Sequence, residues 1–304
     1  MATANEYDPL ETRNQHYLPQ FWQRRFDAGN KEVWTLQDNR TKKIGPKKLM
    51  SQDWLYTIYD AGGRPSNALE RAAGYFETKA AKAFSNLDTP GAVGSVEDQI
   101  FLRWFVAFSA CRHPDTLNMG HRRSKELTVA LVDAFNQSLS DYQVSLSKLG
   151  VGPEEAAWAY DLIRKRDEET SLEEMDDVLT RSPNDAILPS QIALHPETIE
   201  RVFFQLARYS VEILDAPVRT AFVLGDTPFP PNLSLGFTLP ISSGLALRWS
   251  PANGEMLPDW KRRLATPTEV AETNRVQADN AARVLIAQTE ADLLPFVSCP
   301  NLGI

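Results

Sequence analysis

A chain of 304 residues, 42% hydrophobic and 24% charged, has apolar material for one large domain or two small ones and needs no disulfide or metal to hold its core. Its formal net charge of −8 argues against a broad nucleic-acid footprint, and two cysteines, Cys111 and Cys299, make neither a zinc framework nor a secreted scaffold. The opening Met-Ala-Thr-Ala-Asn-Glu-Tyr-Asp lacks the basic start and apolar core of a signal peptide, and no apolar run reaches the roughly 18–20 residues of a membrane span, so a cytoplasmic protein without membrane contact is expected.

Asn14 to Phe26 is the densest stretch, with Tyr17, Phe21, Trp22 and Phe26 packed around His16 and Pro19. Pro19 forbids a helix through 16–18, which predicts an extended segment at 15–18 and a short helix or turn at 19–26. Val33-Trp34-Thr35-Leu36 reads as a strand closed by Gln37-Asp38-Asn39, and Arg40–Lys48, with five basic residues, as its solvated hairpin return. Leu69, Ala72, Phe76, Ala80, Ala83 and Leu87 recur at helical spacing, with Ser66 as the expected N-cap. Ile100–Phe108 is apolar nearly all round, as in a buried helix, and must stop near Cys111 because Pro114 follows.

A further helix is expected over Ser124–Ser147. Residues 153–185 hold eleven Asp/Glu against four Lys/Arg and read as an acidic helical insert. Ile199, Val202, Phe203, Leu206 and Ile213 mark one amphipathic helix before Pro217. Ala221–Leu224, Ser234–Leu239 and Leu245–Trp249 read as strands, and a last helix as running from Thr268 to Gln288, capped by Thr266 or Thr268. The expected architecture is a single composite α+β domain over 1–304, mostly helical, with a small mixed or antiparallel sheet built from the N-terminal and 220–250 strands.

Several of these segments carry a family likeness. The Asn14–Phe26 run resembles the opening of the domain of unknown function (DUF) family 4238, whose members begin with an Asn/His-His-Tyr-x-Pro-Gln-Phe-type motif. In the order that family shows, Val33–Leu36 is followed by Lys48-Leu49-Met50 and Trp54-Leu55-Tyr56. Leu69-Glu70 and Phe76-Glu77 come next, then Cys111-Arg112-His113-Pro114, Phe222–Pro228, Leu239-Pro240-Ile241-Ser242 and Thr273-Asn274. Gly225 stands where serine is usual and Thr273 where an aliphatic is usual. The resemblance covers most of residues 14–288 apart from the acidic insert and implies no established activity.

The polar residues in these matches have chemistry of their own, each with a structural alternative. His16 exchanges protons near neutral pH and could serve as general base or metal ligand, or as a satisfied turn histidine. Glu77 has Ala73, Gly74, Ala80 and Ala81 as its helical neighbours, a slim bed that lets another element approach its carboxylate, or else it is an edge-of-stripe ion-pair partner. Arg112 complements the dipole at the end of a buried helix, and is equally a fixed partner for Glu77, Asp226 or an anionic substrate. Asp226 follows a short strand, where catalytic carboxylates are well held, and also fits an Asx turn. Asn274 on an apolar stripe must hydrogen-bond to something specific, with the β-rich part the expected place.

No phosphate-binding glycine loop, Gly-x-Ser-x-Gly, His-Glu-x-x-His or Cys-x-x-Cys occurs. Convergence of His16, Glu77, Arg112 and Asp226, with Asn274 orienting one of them, would suit hydrolysis of a phosphoester or other small anionic substrate. A divalent metal ion on His16 and the carboxylates is one option, and no cofactor is specified. The alternative is a non-enzymatic immunity or defence-associated binding protein whose acidic surface takes a basic protein partner. Nucleic-acid binding through Arg40–Lys48 and Gln23-Arg24-Arg25 is the weakest reading.

Overall fold

The structure, a computed structural model, describes residues 14–53, 55, 58–59, 65–66, 68–114, 138–147, 152–154, 156–157, 160–161, 194, 196–230, 232–252 and 256–297. Contacts group the chain into two units, residues 1–114 with 194–304 and residues 115–193.

In the first unit, strand β1 (Asn14–His16) is followed by Pro19, the single helical turn α1 (Gln20–Gln23) and a 3-10 turn over Arg24–Phe26. The aromatic run is core: Leu18, Trp22 and Phe26 are buried. The Trp22 ring lies 5.9 Å from Phe84 and from Phe105, and its indole N–H donates to the Pro240 carbonyl at 3.0 Å. Strands β2 (Val33–Gln37) and β3 (Arg40–Ile44) form a hairpin turned by Asp38 (φ 51°) and Asn39 (φ 57°). Two left-handed residues match the twist of a tight hairpin, and Asp and Asn tolerate that conformation. A 3-10 turn over Pro46–Lys48 leads to β4 (Ser51–Asp53), which pairs antiparallel with β1 and sets His16 opposite Ser51. Strands β5 (Ile58–Tyr59) and β6 (Pro65–Ser66) form a short pair, so Ser66 is a strand residue rather than the expected cap.

Helix α2 (Ala68–Asn86) and helix α3 (Val96–Cys111) pack side by side. Ser95 and Asp98 close a capping box at the start of α3, which satisfies donors otherwise orphaned at a helix N-terminus. As its composition predicts, α3 is mostly buried, and it ends with Arg112 at the C-cap. Arg103 on α3 is buried with no carboxylate partner among the described residues; burial lowers its pKa to about 10, and its guanidinium donates to the carbonyls of Tyr209 and Pro258. In the second unit, α4 (Leu139–Ser147) is capped by Ser138, and Tyr142 packs on Tyr160 at 5.4 Å. Residues 115–137 and 162–193, which include most of the expected acidic insert and the start of the helix expected from Ser124, lie outside the described residues.

Back in the first unit, α5 (Pro196–Leu206) stacks Phe203 on Trp104 at 4.0 Å. The helix expected to reach Ile213 stops here. Tyr209–Asp215 is strand β7, where buried Val211 and Ile213 alternate with half-buried Ser210 and Glu212, a period of two rather than 3.6. Strands β8 (Leu224–Gly225), β9 (Phe237–Pro240), β10 (Leu245–Pro251) and β11 (Lys261–Leu264) follow. Residues 233–235 form a 3-10 turn rather than the start of a strand.

Helix α6 (Pro267–Asn280) begins at Thr266, whose hydroxyl and Glu269 form a second capping box. It ends well before the expected Gln288. The chain turns extended at Ala281 so that β12 (Leu285–Ala287), buried throughout, can pair with both β2 and β8. The molecule is α+β, and its strands fall into two four-stranded sheets, β11-β7-β10-β9 and β3-β2-β12-β8, plus the pairs β1-β4 and β5-β6. Only β11 with β7 is parallel among the described pairs. Arg262 on β11 ties sheet to helices: it grips Asp215 through two nitrogens, at 2.8 and 2.6 Å, and donates to the carbonyls of Leu87, Thr89 and Ala92. No described helix is long and apolar enough to cross a membrane.

Candidate functional site

The end of the buried helix α3 sets the geometry. Arg112 is 1% exposed, and its Nη1 donates to Glu77 Oε1 on α2 at 2.9 Å. The Glu77 side chain is 29% exposed, so the pair reaches solvent on the carboxylate side. The guanidinium carbon lies 5.1 Å from the Phe108 ring centre, and Phe108 itself stacks on Phe76 at 5.0 Å. Arg112 Nε and Nη2 are buried with no hydrogen-bond partner among the described residues. A buried donor left unmade costs about 1–3 kcal/mol, so two on one cation invite an acceptor.

His16, on β1, lies within electrostatic reach of this pair. Its Nε2 donates to the Pro46 carbonyl at 3.3 Å, since a carbonyl can only accept, which puts the lone pair of the neutral ring on Nδ1. Burial holds its pKa below the ordinary value near 6.5; the Pro46 carbonyl and the Glu77 carboxylate pull upward, and the Arg112 charge adds to the lowering. His16 therefore feels both members of the ion pair and is predominantly neutral at pH 7.

The other two expected site residues are held differently. Asp226 Oδ1 accepts from the Ala282 N–H at 2.8 Å, and its main-chain carbonyl accepts from His113 Nε2 at 2.6 Å. His113 follows Arg112 and meets the Tyr17 ring edge-on at 5.2 Å, while Tyr17 follows His16, so Asp226 joins the group through its backbone. Asn274 spends its amide on the main chain: Oδ1 accepts from Val223 N at 2.9 Å and Nδ2 donates to Ala221 O at 2.8 Å. Gln277, one turn on, does the same for Gly225 N and Pro228 O. These two amides stand in for a strand neighbour along 221–228, which is why the expected strand at Ala221–Leu224 shrinks to Leu224–Gly225. At Gly225 a Cβ would meet the Gln277 carbonyl at 2.7 Å, so the glycine found in place of serine fits a close approach of α6.

Structure thus pairs Glu77 with Arg112, sets His16 within electrostatic reach of both, attaches Asp226 to His113 through its main-chain carbonyl, and places Asn274 on the scaffold of residues 221–223. Sequence reading passed over His113 and Gln277. A histidine between an arginine and a proline at the end of an apolar helix was the available signal for the first; the second sits one turn from Asn274 on the same stripe. Cys111, beside Arg112, is buried, which pushes its thiol up to about 12 and leaves it protonated and unreactive at neutral pH. Among the described residues no group of three His, Cys, Asp or Glu side chains is placed to share a metal ion. The side chain of Glu70 lies outside the described residues.

A family model described as protein of unknown function (DUF4238) matches residues 14–291 of this chain. Comparison with curated proteins and with solved structures returned no match.

Proposed function

The chain belongs to the DUF4238 family of proteins of unknown function, and from its site we propose a hydrolase acting on a phosphoester or another small anionic substrate. The observation that carries this reading is the buried Arg112 guanidinium, paired on one nitrogen with Glu77 and without a described partner on Nε and Nη2, with a neutral histidine in electrostatic reach. Two adjacent N–H groups of a guanidinium match two oxygens of a phosphate or carboxylate, a geometry lysine does not offer. In this reading Arg112 holds the anion and stabilises the charge that develops on it, and Glu77 fixes the guanidinium plane. His16 takes a proton from water as the oxygen attacks phosphorus, and the imidazolium then protonates the departing ester oxygen as the phosphorus–oxygen bond breaks. His113, Asp226 and Asn274 position Arg112 and the loop beside it from outside the reacting atoms.

The test is release of nitrophenol from a panel of aryl phosphate monoesters and diesters by the wild type, Arg112→Met and His16→Gln. Turnover of at least one ester, reduced about 100-fold or more in both variants with circular dichroism unchanged, is expected, in the range that removal of one charge-stabilising donor or one general base produces. Variants within threefold of wild type, or a wild type inert on the whole panel, would overturn the reading.

A further inference from the structure

A second feature involves the turn whose Pro46 carbonyl accepts from His16. A cavity of about 630 Å³ is bounded by β3 and by the 3-10 turn Pro46–Lys48. Lys42, Lys43, Lys47 and Lys48 all line it and all are exposed, but the Lys43 ammonium turns to the other face of β3, where it lies 5.2 Å from the Trp34 ring centre. Among the described residues none of these four ammonium groups makes an ion pair, although the chain carries 40 acidic side chains against 32 Lys and Arg. Glu32 is the one carboxylate in the described lining.

Lysine on β3 alone has a plain explanation, because β3 is the outer strand of its sheet and charged edges deter strand-to-strand aggregation. That role does not require Lys47 and Lys48, beyond the strand, to face the same cavity. Three like charges, those of Lys42, Lys47 and Lys48, gathered on one concave wall repel one another and raise the local concentration of anions, against the sign of the whole molecule. The volume falls within the several-hundred-Å³ range of small-molecule sites and is too small to enclose a duplex. Lysines, as movable point charges, suit the many oxygens of linked phosphates.

We propose that this cleft binds a short polyphosphate chain, the chemistry shared by inorganic tripolyphosphate and a nucleoside triphosphate. The proposal goes beyond the hydrolase reading and does not rest on it.

Calorimetric titration of the full chain at low salt, with tripolyphosphate, ATP, orthophosphate and a single-stranded oligothymidylate in turn, tests it. Tripolyphosphate or ATP is expected to bind at one site about tenfold or more tighter than orthophosphate, and the Lys42→Gln/Lys47→Gln/Lys48→Gln variant to weaken this about tenfold or more. Lys261→Gln and Arg112→Met should leave it within twofold. ATP binding tighter than tripolyphosphate would support the nucleotide as the source, and the reverse order the inorganic chain. Absence of saturable binding by both, affinity unchanged in the triple variant, loss in Arg112→Met alone, or tighter binding of the oligothymidylate through the same lysines would each overturn the proposal.

Discussion

At the scale of single residues, burial acts differently on Arg112 and His16. Arg112 is buried, and a buried guanidinium seeks acceptors for its N–H groups. Glu77 supplies one. His16 responds to burial by staying neutral, its folded pKa held below the ordinary 6.5. The sign of the linked stability follows. A histidine with a depressed folded pKa contributes fully above about pH 6.5 and loses that contribution as pH falls toward the folded value, where the unfolded chain binds the proton first. Chemical denaturation at about pH 7.5 and pH 5.5 should therefore show a smaller acid-side loss in His16→Gln than in the wild type. Equal losses in the two proteins would place the titration elsewhere.

Among elements, Asn274 shows what a single side chain does for a segment. It replaces a strand partner for residues 221–223, and removing it leaves one donor and one acceptor unpaired in a buried place. Asn274→Ala is expected to cost about 2 kcal/mol or more in denaturant titration, from about 1–3 kcal/mol for each group left unsatisfied. A loss below about 0.5 kcal/mol would mean that the segment finds other partners. Elements with one strong period were legible in the sequence: the Val33–Gln37 hairpin strand, helix α2 and the apolar helix α3. Those misread lie where two periods coincide. Ile213 is seven residues beyond Leu206 and so continues a helical stripe, yet it alternates with Glu212 on β7; Leu285 continues the stripe of α6, yet pairs with Leu36 on β2. Strand partners far away in sequence decided both.

At the scale of the molecule, chemistry types were legible and neighbours were not. A histidine, a carboxylate and an arginine can be named from residues 16, 77 and 112, but their placement depends on β1 pairing with β4 and on α2 packing against α3. The aromatic weight of residues 14–26 belongs to the core that enforces this, with Trp22 between Phe84 and Phe105, and not to the site itself. Lys42 of β3 and Lys47 and Lys48 of the turn after it form a separate charged cleft. The central claim is that the buried Arg112 guanidinium takes an anion on Nε and Nη2, and the most direct measurement is the Nε–H cross-peak of Arg112 in ¹⁵N-arginine-labelled protein, assigned by its absence from Arg112→Met. Titrated with orthovanadate, that peak should move saturably while the Arg103 peak stays in place; an Arg112 peak that does not move would contradict the account.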